Sequence, residues 1–289
     1  SKSTAYNLIQ VFVFNNIKSG DLWSQPLIEV DNDFLLVIPC IYSVQLQRIV
    51  EIWMRQGGLD LSMRGEEFER YCRKELIDAL KVSPIREHVI ILENSLNFKP
   101  QGDRTEEVDI VIIIGGTVLL IEAKCILWPE NSIQFANYYS TIEYAVAQIS
   151  RKRDFVREHK KAFVAHLHRN GFSIPDELTV ICCVLSNSAV YCGFPLKGVP
   201  IVDLSMIIHF LQNKYIKAQI THGTNIIHEA VLNFYQSFTE AAIVLNDYLL
   251  DPPQLSDVKR FVKKRELISV IQSPNYGKLI HQTFKVEID

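Results

Sequence analysis

The sequence predicts an α/β protein in which helices flank a mixed β-sheet, and three observations lead to that prediction. Short, strongly apolar segments alternate along the chain with longer segments of helical periodicity. The chain has 289 residues, of which 48% are hydrophobic and 22% are charged, so it can bury a full core. The pair Gly115-Gly116 separates two apolar runs, as a tight turn between neighbouring antiparallel strands would.

Composition and charge narrow the class of protein further. Six cysteines show no paired framework, which is the usage expected in a reducing, cytoplasmic compartment. The longest apolar run, 110–121, is interrupted by glycine and is shorter than the ~20 residues of a membrane helix, so no membrane span is expected. A net charge of -3 argues against a protein that coats nucleic acid through bulk positive charge.

Residues 1–60 are predicted to form an N-terminal extension of short strands followed by a helix. The segments PLIEV and FLLVIPCIY flank Asp31-Asn32-Asp33, whose residue types favour the turn of a hairpin. A helix over 44–54 is expected to stop at Gly57-Gly58, because glycine is favoured just after the last helical residue.

A core is predicted over 61–213, and its helices and strands alternate. They are expected at 65–81 (helix), 88–93, 108–114 and 117–125 (strands), 133–169 (helix), 179–186 and 198–204 (strands) and 204–213 (helix). A polar loop over 97–104 precedes the second strand. Residues 214–289 are predicted to be a mainly helical C-terminal extension, interrupted at Asp251-Pro252-Pro253.

The segment Glu107–Lys124, EVDIVIIIGGTVLLIEAK, contains the residues of the core that indicate a catalytic site. Glycine tolerates the positive φ angles of a two-residue hairpin turn, which favours Gly115-Gly116 as the turn residues. Ile114 would then pair with Thr117, and the register of both strands follows from that pair.

That register places Asp109 opposite Glu122, and Glu107 opposite Lys124, on one face of the hairpin. Two opposed carboxylates destabilise the end of strands that are apolar on both faces. A divalent cation would relieve this repulsion, and Mg²⁺ is the usual ion for one or two carboxylates plus a phosphate. Lys124 would contact a metal-bound water or a phosphate oxygen, which suits hydrolysis of a phosphodiester. The alternative is an ordinary strand end with exposed ion pairs.

An Asp followed about a dozen residues later by Glu-x-Lys on the next strand resembles the PD-(D/E)xK nuclease superfamily. Asp109, Glu122 and Lys124 match its three motif positions, while Val108 stands where the motif has proline. The resemblance covers about residues 64–210. It implies a restriction-endonuclease-like core and a Mg²⁺-dependent nuclease in which Mn²⁺ can substitute.

The helix predicted over 65–81 contributes a further acid to the predicted metal site. Its apolar residues form one stripe on a helical wheel, and both Glu69 and Glu75 fall inside that stripe. The segment RGEEFERYC is similar to the start of archaeal Holliday-junction resolvases and of NERD-type nucleases. These place a metal-site Glu four residues after a Gly, which selects Glu69; a structural role for Glu69 is the alternative. The metal ligands implied by resemblance are Asp109, Glu122, Glu69 and the carbonyl of Ala123.

The long helix over 133–169 carries polar residues beside its apolar face. Gln148 and Lys152 lie one turn apart there, and many members of the superfamily have a Gln or a basic residue that faces the site from this helix. The residues predicted to contact nucleic acid are Arg151, Lys152, Arg153, Arg157, Lys160 and Lys161. A second basic cluster, Lys259-Arg260 with Lys263-Lys264-Arg265, is predicted on a helix. A solvated charged face is the alternative for both.

The function expected from these residues is Mg²⁺-dependent hydrolysis of phosphodiester bonds, with DNA as the substrate and endonuclease activity. Asp109 and Glu122 would bind the metal, Lys124 would position the attacking water, and Gln148 would assist. A restriction or phage-defence role fits the resemblance, and a homodimer or a partner subunit is compatible with it. The alternatives are a nucleic-acid-binding or assembly module with little activity, and a nuclease that acts on RNA.

Overall fold

The structure is a computed structural model that describes residues 2–14, 21–31, 33–42, 46–129, 132–222, 225–255, 262–267 and 281–286. The chain separates into two compact units. One contains Ser1–Arg64 and Ile126–Tyr138, and the other contains Gly65–Cys125 and Tyr139–Asp289. The boundary predicted at residue 213 therefore lies inside the second unit. Each helix in the described part of the chain is too short or too polar to traverse a bilayer.

The first unit begins with short elements: α1 (Lys2–Val11), β1 (Leu27–Val30), β2 (Asp33–Leu36), α2 (Ile38–Tyr42) and α3 (Leu46–Gln56). Strands β1 and β2 are antiparallel with Val30 opposite Asp33, which confirms the predicted hairpin. Helix α3 is the helix expected over 44–54, shifted by two residues at each end. The segment after Val37 forms α2 instead of a strand. Pro39 is tolerated there because it lies in the first helical turn, where a backbone N–H has no helical partner.

Sixteen further α-helices and β-strands follow in the described part of the chain. They are α4 (Arg64–Lys81), β3 (Val89–Ile91), β4 (Leu96–Phe98), β5 (Glu106–Val108), β6 (Ile110–Ile114), β7 (Thr117–Lys124), α5 (Ser132–Glu158), α6 (Lys160–Arg169), β8 (Thr179–Ser186), β9 (Ile201–Asp203), α7 (Leu204–Gln212), β10 (Tyr215–His222), β11 (Asn225–Asn233), α8 (Phe238–Leu250), β12 (Val262–Leu267) and β13 (His281–Val286). The long helix predicted over 133–169 is interrupted at His159, which divides it into α5 and α6.

The central sheet has five strands in the order β3-β6-β7-β8-β9. Strand β6 is antiparallel to β3 and to β7, whereas β7, β8 and β9 are parallel to one another. Parallel neighbours need a long crossover, which α5 and α6 supply between β7 and β8. The predicted α/β class, with a mixed sheet flanked by helices, is confirmed.

Alternate residues of the sheet pack into different layers of helices. One buried cluster combines sheet residues with α4, α7 and α8, and its members include Ile112, Leu119, Ile181, Leu76, Phe210 and Leu245. The opposite face of the hairpin is also buried, at Val111 and Leu120. Helix α5 lies over that face, because its Lys152 contacts Glu122, which shares a face of β7 with Leu120. Glu122 and Lys124 share the face that α5 covers.

The register of the central hairpin is the predicted one, with Ile114 opposite Thr117 and Ile110 opposite Ile121. Gly115 has a φ angle of +52°, whereas Gly116 is not in the positive region, so the turn requires glycine at its first position.

The predicted opposition of Glu107 and Lys124 is wrong. The chain bends at Asp109, and β5 pairs with β4, which sets Glu107 opposite Asn97. Part of the loop predicted over 97–104 is therefore strand β4, and Glu107 is exposed.

The prediction that residues 214–289 are mainly helical is also wrong. The described residues of this region contain the strands β10 to β13 and one helix, α8. Isoleucine and alanine alternate with polar residues along β10, a period of two that indicates a strand. Lys263-Lys264-Arg265 lie on β12, while Lys259-Arg260 fall outside the described residues. This region contributes to the core: the hydroxyl of Tyr248 in α8 donates to the carbonyl of Met206 in α7 at 2.9 Å.

Candidate active site

Two carboxylates meet where the central hairpin ends. Asp109 occupies the bend between β5 and β6, and its Oδ2 accepts a hydrogen bond of 2.8 Å from the backbone N–H of Ala123. Glu122 precedes Ala123 on β7 and is only 2% exposed. The hairpin register therefore brings Asp109 and Glu122 together, as the sequence predicts, and the bend leaves Asp109 free to turn its carboxylate onto β7.

Two lysines neutralise this pair of carboxylates. Lys124 Nζ lies 2.7 Å from Glu122 Oε1. Lys152, from α5, donates a short hydrogen bond to Glu122 Oε2 and lies 3.6 Å from Asp109 Oδ1. The Lys152 side chain is 8% exposed, whereas that of Lys124 is 25% exposed. Lys152 is thus an interior part of the site, and Lys124 is the lysine that can reach a ligand from solvent.

The backbone of Ala123 also points into this site. A residue in an extended strand directs its N–H and its C=O toward the same neighbouring strand. The N–H of Ala123 points to Asp109, so the Ala123 carbonyl oxygen lies on that side too. The next carbonyl, that of Lys124, points the other way and accepts from the N–H of Asn187. The Ala123 carbonyl is therefore placed with the carboxylates.

Glu69 on α4 belongs to the same electrostatic cluster. Burial, and then the nearby charges of Asp109 and Glu122, raise the pKa of Glu69, while Arg73 and Lys124 oppose that shift. Burial and the charge of Glu122 likewise raise the pKa of Asp109, against the opposing charge of Lys152. A bound metal ion would lower the pKa of both acids and favour their ionised forms.

Arg73 is a site residue that sequence reasoning missed. It lies one turn after Glu69 on α4, and its guanidinium donates a hydrogen bond of 2.8 Å to the backbone carbonyl of Asp109. This contact fixes the bend that directs the Asp109 carboxylate. The i, i+4 spacing of Glu69 and Arg73 was the available signal, because residues so spaced lie on one face of a helix.

Gln148 lies one turn before Lys152 on α5, as the sequence predicts. Its side-chain Oε1 is buried and accepts no hydrogen bond from any described residue. A buried amide oxygen without a donor destabilises the folded chain by about 1–3 kcal/mol, so its presence calls for an explanation. A ligand or a cation bound beside Lys152 would supply the missing partner.

The chemical types of the ligand atoms at this site suit a hard cation, but the positions of the described side chains do not form a metal-binding cluster. The ligand atoms are all oxygens: the carboxylates of Asp109, Glu122 and Glu69, one backbone carbonyl and one amide, which are the kinds of ligand that Mg²⁺ accepts. Yet the described residues contain no group of three or more His, Cys, Asp or Glu side chains arranged to hold a metal. The Lys152 ammonium supplies positive charge between the carboxylates instead.

The basic residues predicted to contact nucleic acid do not share one environment in the structure, and most of them have partners within the chain. Arg151 pairs with Glu106, Arg153 with Asp154, and Lys160 with Glu177. Arg157 donates to the carbonyl of Val180 near the start of β8, away from the end of β7 where Glu122 lies. Lys161 is exposed. Lys152 is buried, so it does not belong to a surface that contacts phosphates.

The chain matches no family model, and no curated protein and no solved structure matches it. The chemistry of the site is therefore inferred from its own residues, of which Asp109, Glu122, Lys124 and Lys152 are in direct contact.

Proposed function

We propose that this chain is a Mg²⁺-dependent nuclease of the PD-(D/E)xK type, with a restriction-endonuclease-like core, that hydrolyses phosphodiester bonds in DNA. The observation that supports this most directly is the convergence of Asp109, Glu122 and Lys124 at the end of one hairpin. Packing alone does not explain a buried acid, a partly buried acid and two lysines at the end of a hairpin whose strands are mostly apolar.

Each residue has a role that follows from its position. Asp109, Glu122, Glu69 and the Ala123 carbonyl would hold the cation, which would activate a water and stabilise charge on the phosphate. Lys124 is partly exposed and would hold the attacking water or donate to a phosphate oxygen. Lys152 holds the Glu122 carboxylate from the side of α5. Gln148 would add a polar side chain next to Lys152 on the same helix.

A second function is favoured by one specific observation. The carboxylates are already neutralised by Lys124 and Lys152, so the site is balanced in charge without a metal. A nucleic-acid-binding or assembly module with little activity would need no more than this. The two functions differ in one measurable property, because only the nuclease requires Mg²⁺ together with an intact Asp109.

The experiment is a cleavage panel over supercoiled plasmid, linear duplex, single-stranded DNA and RNA, with Mg²⁺, Mn²⁺ or EDTA. Asp109→Ala and Lys124→Ala should each lower Mg²⁺-dependent cleavage of DNA by roughly 100-fold or more, because each removes a group that acts on the transition state. Asp78→Ala is the matched control, since Asp78 is an exposed acid paired with Lys81 on α4. Its cleavage rate should equal that of the wild type.

Circular dichroism of each variant shows whether the fold is retained. Equal cleavage by the wild type, Asp109→Ala and Lys124→Ala would contradict the site assignment. Binding of DNA without cleavage under every metal condition would favour the binding module. Faster cleavage of RNA than of any DNA form would replace DNA as the substrate and leave the site assignment in place.

A further inference from the structure

A second cluster of charge surrounds Glu106, three residues before Asp109. The Glu106 side chain is only 6% exposed, and it lies between two arginines. Arg151 donates to it through Nε at 3.1 Å and through a terminal nitrogen at 3.0 Å, one bond to each carboxylate oxygen. Arg104 Nε lies 2.8 Å from the same carboxylate. One buried acid therefore holds two guanidinium groups in fixed positions.

This cluster carries more positive charge than the buried acid needs. A single arginine would neutralise Glu106, and the bidentate contact of Arg151 already does so. Arg104 adds a second guanidinium, which also lies over the Phe155 ring, 5.2 Å from its centroid. The ring restrains Arg104 by a cation–π contact, so its position does not depend on Glu106 alone.

Both arginines remain accessible to a ligand. The side chains of Arg104 and Arg151 are 57% and 51% exposed. A guanidinium carries five N–H donors, and the contacts to Glu106 use two from Arg151 and one from Arg104. Most of their donors are therefore left for a ligand, on side chains that have already lost much of their conformational freedom.

The cluster lies beside the candidate active site. Arg151 directly precedes Lys152 on α5, and Glu106 is on β5, which leads into the bend at Asp109. The hydrogen bond to Glu106, and more weakly the charge of Glu122, raise the pKa of Arg151, which places its guanidinium within electrostatic range of that acid. A nucleic acid bound at the candidate active site would therefore extend past Arg104 and Arg151.

We propose that Arg104 and Arg151, held by Glu106, form a clamp for a backbone phosphate of nucleic acid next to the bond that is cut. The proposal rests on the proposed nuclease function and names the residues that hold its substrate. The planar guanidinium matches phosphate geometry through paired hydrogen bonds, which a lysine cannot reproduce. Such contacts position the backbone without reading its sequence.

Binding is measured by fluorescence anisotropy with a labelled DNA duplex in EDTA, where Mg²⁺-dependent cleavage cannot occur, over a series of salt concentrations. Arg104→Gln should weaken binding about tenfold and lower the salt slope by about 1, since one phosphate contact is lost. Arg151→Gln should act similarly. Each single variant leaves Glu106 one arginine partner, so the fold should persist.

Arg70→Gln is the matched control, because Arg70 is an exposed arginine paired with Glu67 on α4. Its affinity and salt slope should equal those of the wild type. Arg104→Lys separates charge from geometry: the salt slope should be retained while affinity falls. If Arg104→Gln fails to fold in a thermal melt, Arg104→Lys carries the test alone.

The outcomes distinguish this clamp from the nuclease function on which it rests. Unchanged affinity and slope in Arg104→Gln, with a wild type that binds and cleaves DNA, would overturn the clamp alone. An equal loss in Arg70→Gln would also overturn it, because general surface charge would then explain binding. A wild type that neither binds nor cleaves any nucleic acid would overturn the proposed function itself.

Discussion

Glu122 is a charged residue whose side chain is only 3% exposed, and Lys152 is its most deeply buried partner. Removal of one member of a buried ion pair leaves an uncompensated charge, whereas removal of both often does not. Lys152→Met should therefore lower the free energy of unfolding by roughly 3–5 kcal/mol. Denaturation in urea measures this difference.

Two further variants serve as controls for the effect of Lys152→Met on stability. The double variant Glu122→Gln with Lys152→Met should recover much of the lost stability, since neither charge remains. Lys160→Met removes a lysine whose partner, Glu177, is 96% exposed, so a loss below ~1 kcal/mol is expected. A loss in Lys152→Met as small as that in Lys160→Met would show that the buried pair does not stabilise the fold.

Asp109 should destabilise the folded chain as it ionises. Burial and then Glu122 raise its pKa above the ordinary 3.8, while Lys152, the Ala123 N–H and Lys124 oppose the shift. An acid of raised pKa holds its proton longer in the folded chain, so this contribution to stability is present below pH 3.8 and is lost as the pH rises through the folded pKa.

Asp109→Asn cannot ionise, so its free energy of unfolding relative to the wild type should increase with pH across this window and then level off. Urea denaturation at a series of pH values measures the difference between the two proteins. Asp78→Asn serves as a control, because an exposed ion pair holds the pKa of Asp78 below its ordinary value. A difference that stays constant or falls as the pH rises would contradict the raised pKa.

At the scale of residues, the sequence predicts the acids of the site better than their partners. Asp109 and Glu122 could be paired because one turn fixes the register of two strands, and each side chain then follows from alternation. The burial of Lys152 and the contact of Arg73 with the bend depend on how α4 and α5 pack against the sheet. No local pattern encodes that packing.

At the scale of elements, the central hairpin depends on one glycine. Gly115 has a φ of +52°, and an added Cβ would lie at an ordinary 3.7 Å from Phe238, so strain there comes from the backbone and not from crowding. Gly115→Ala should lower the free energy of unfolding by about 1–2 kcal/mol. Gly116→Ala, which has no positive φ to maintain, should have a smaller effect in the same urea denaturation. Equal losses would show that the turn does not require glycine at its first position.

The elements that were mispredicted have a common cause. Strands β10 and β11 pair with each other outside the central sheet, and β4 pairs with β5, so each ladder is a local two-stranded addition. Such strands are short or mixed in polarity, and their propensities compete closely with those of helix and loop. The strands of the central sheet are apolar and buried, which made them predictable.

At the scale of the whole molecule, the charges that matter for the proposed function form local clusters, and the net charge is small. The net charge is only -3, yet the site combines two acids with two lysines, and Glu106 holds two arginines beside it. A nuclease built in this way would hold its substrate by a few oriented contacts, so its affinity should depend on particular arginines more than on total charge.

The measurement that tests the central claim most directly is the rate of plasmid cleavage in Mg²⁺ by Asp109→Asn and by Asp78→Asn, compared with the wild type. Both variants lose one carboxylate and keep its shape, and only Asp109 lies at the candidate site. A loss of roughly 100-fold or more in Asp109→Asn, with a wild-type rate in Asp78→Asn, is predicted. Equal rates in all three proteins, or no cleavage by the wild type, would contradict the assignment.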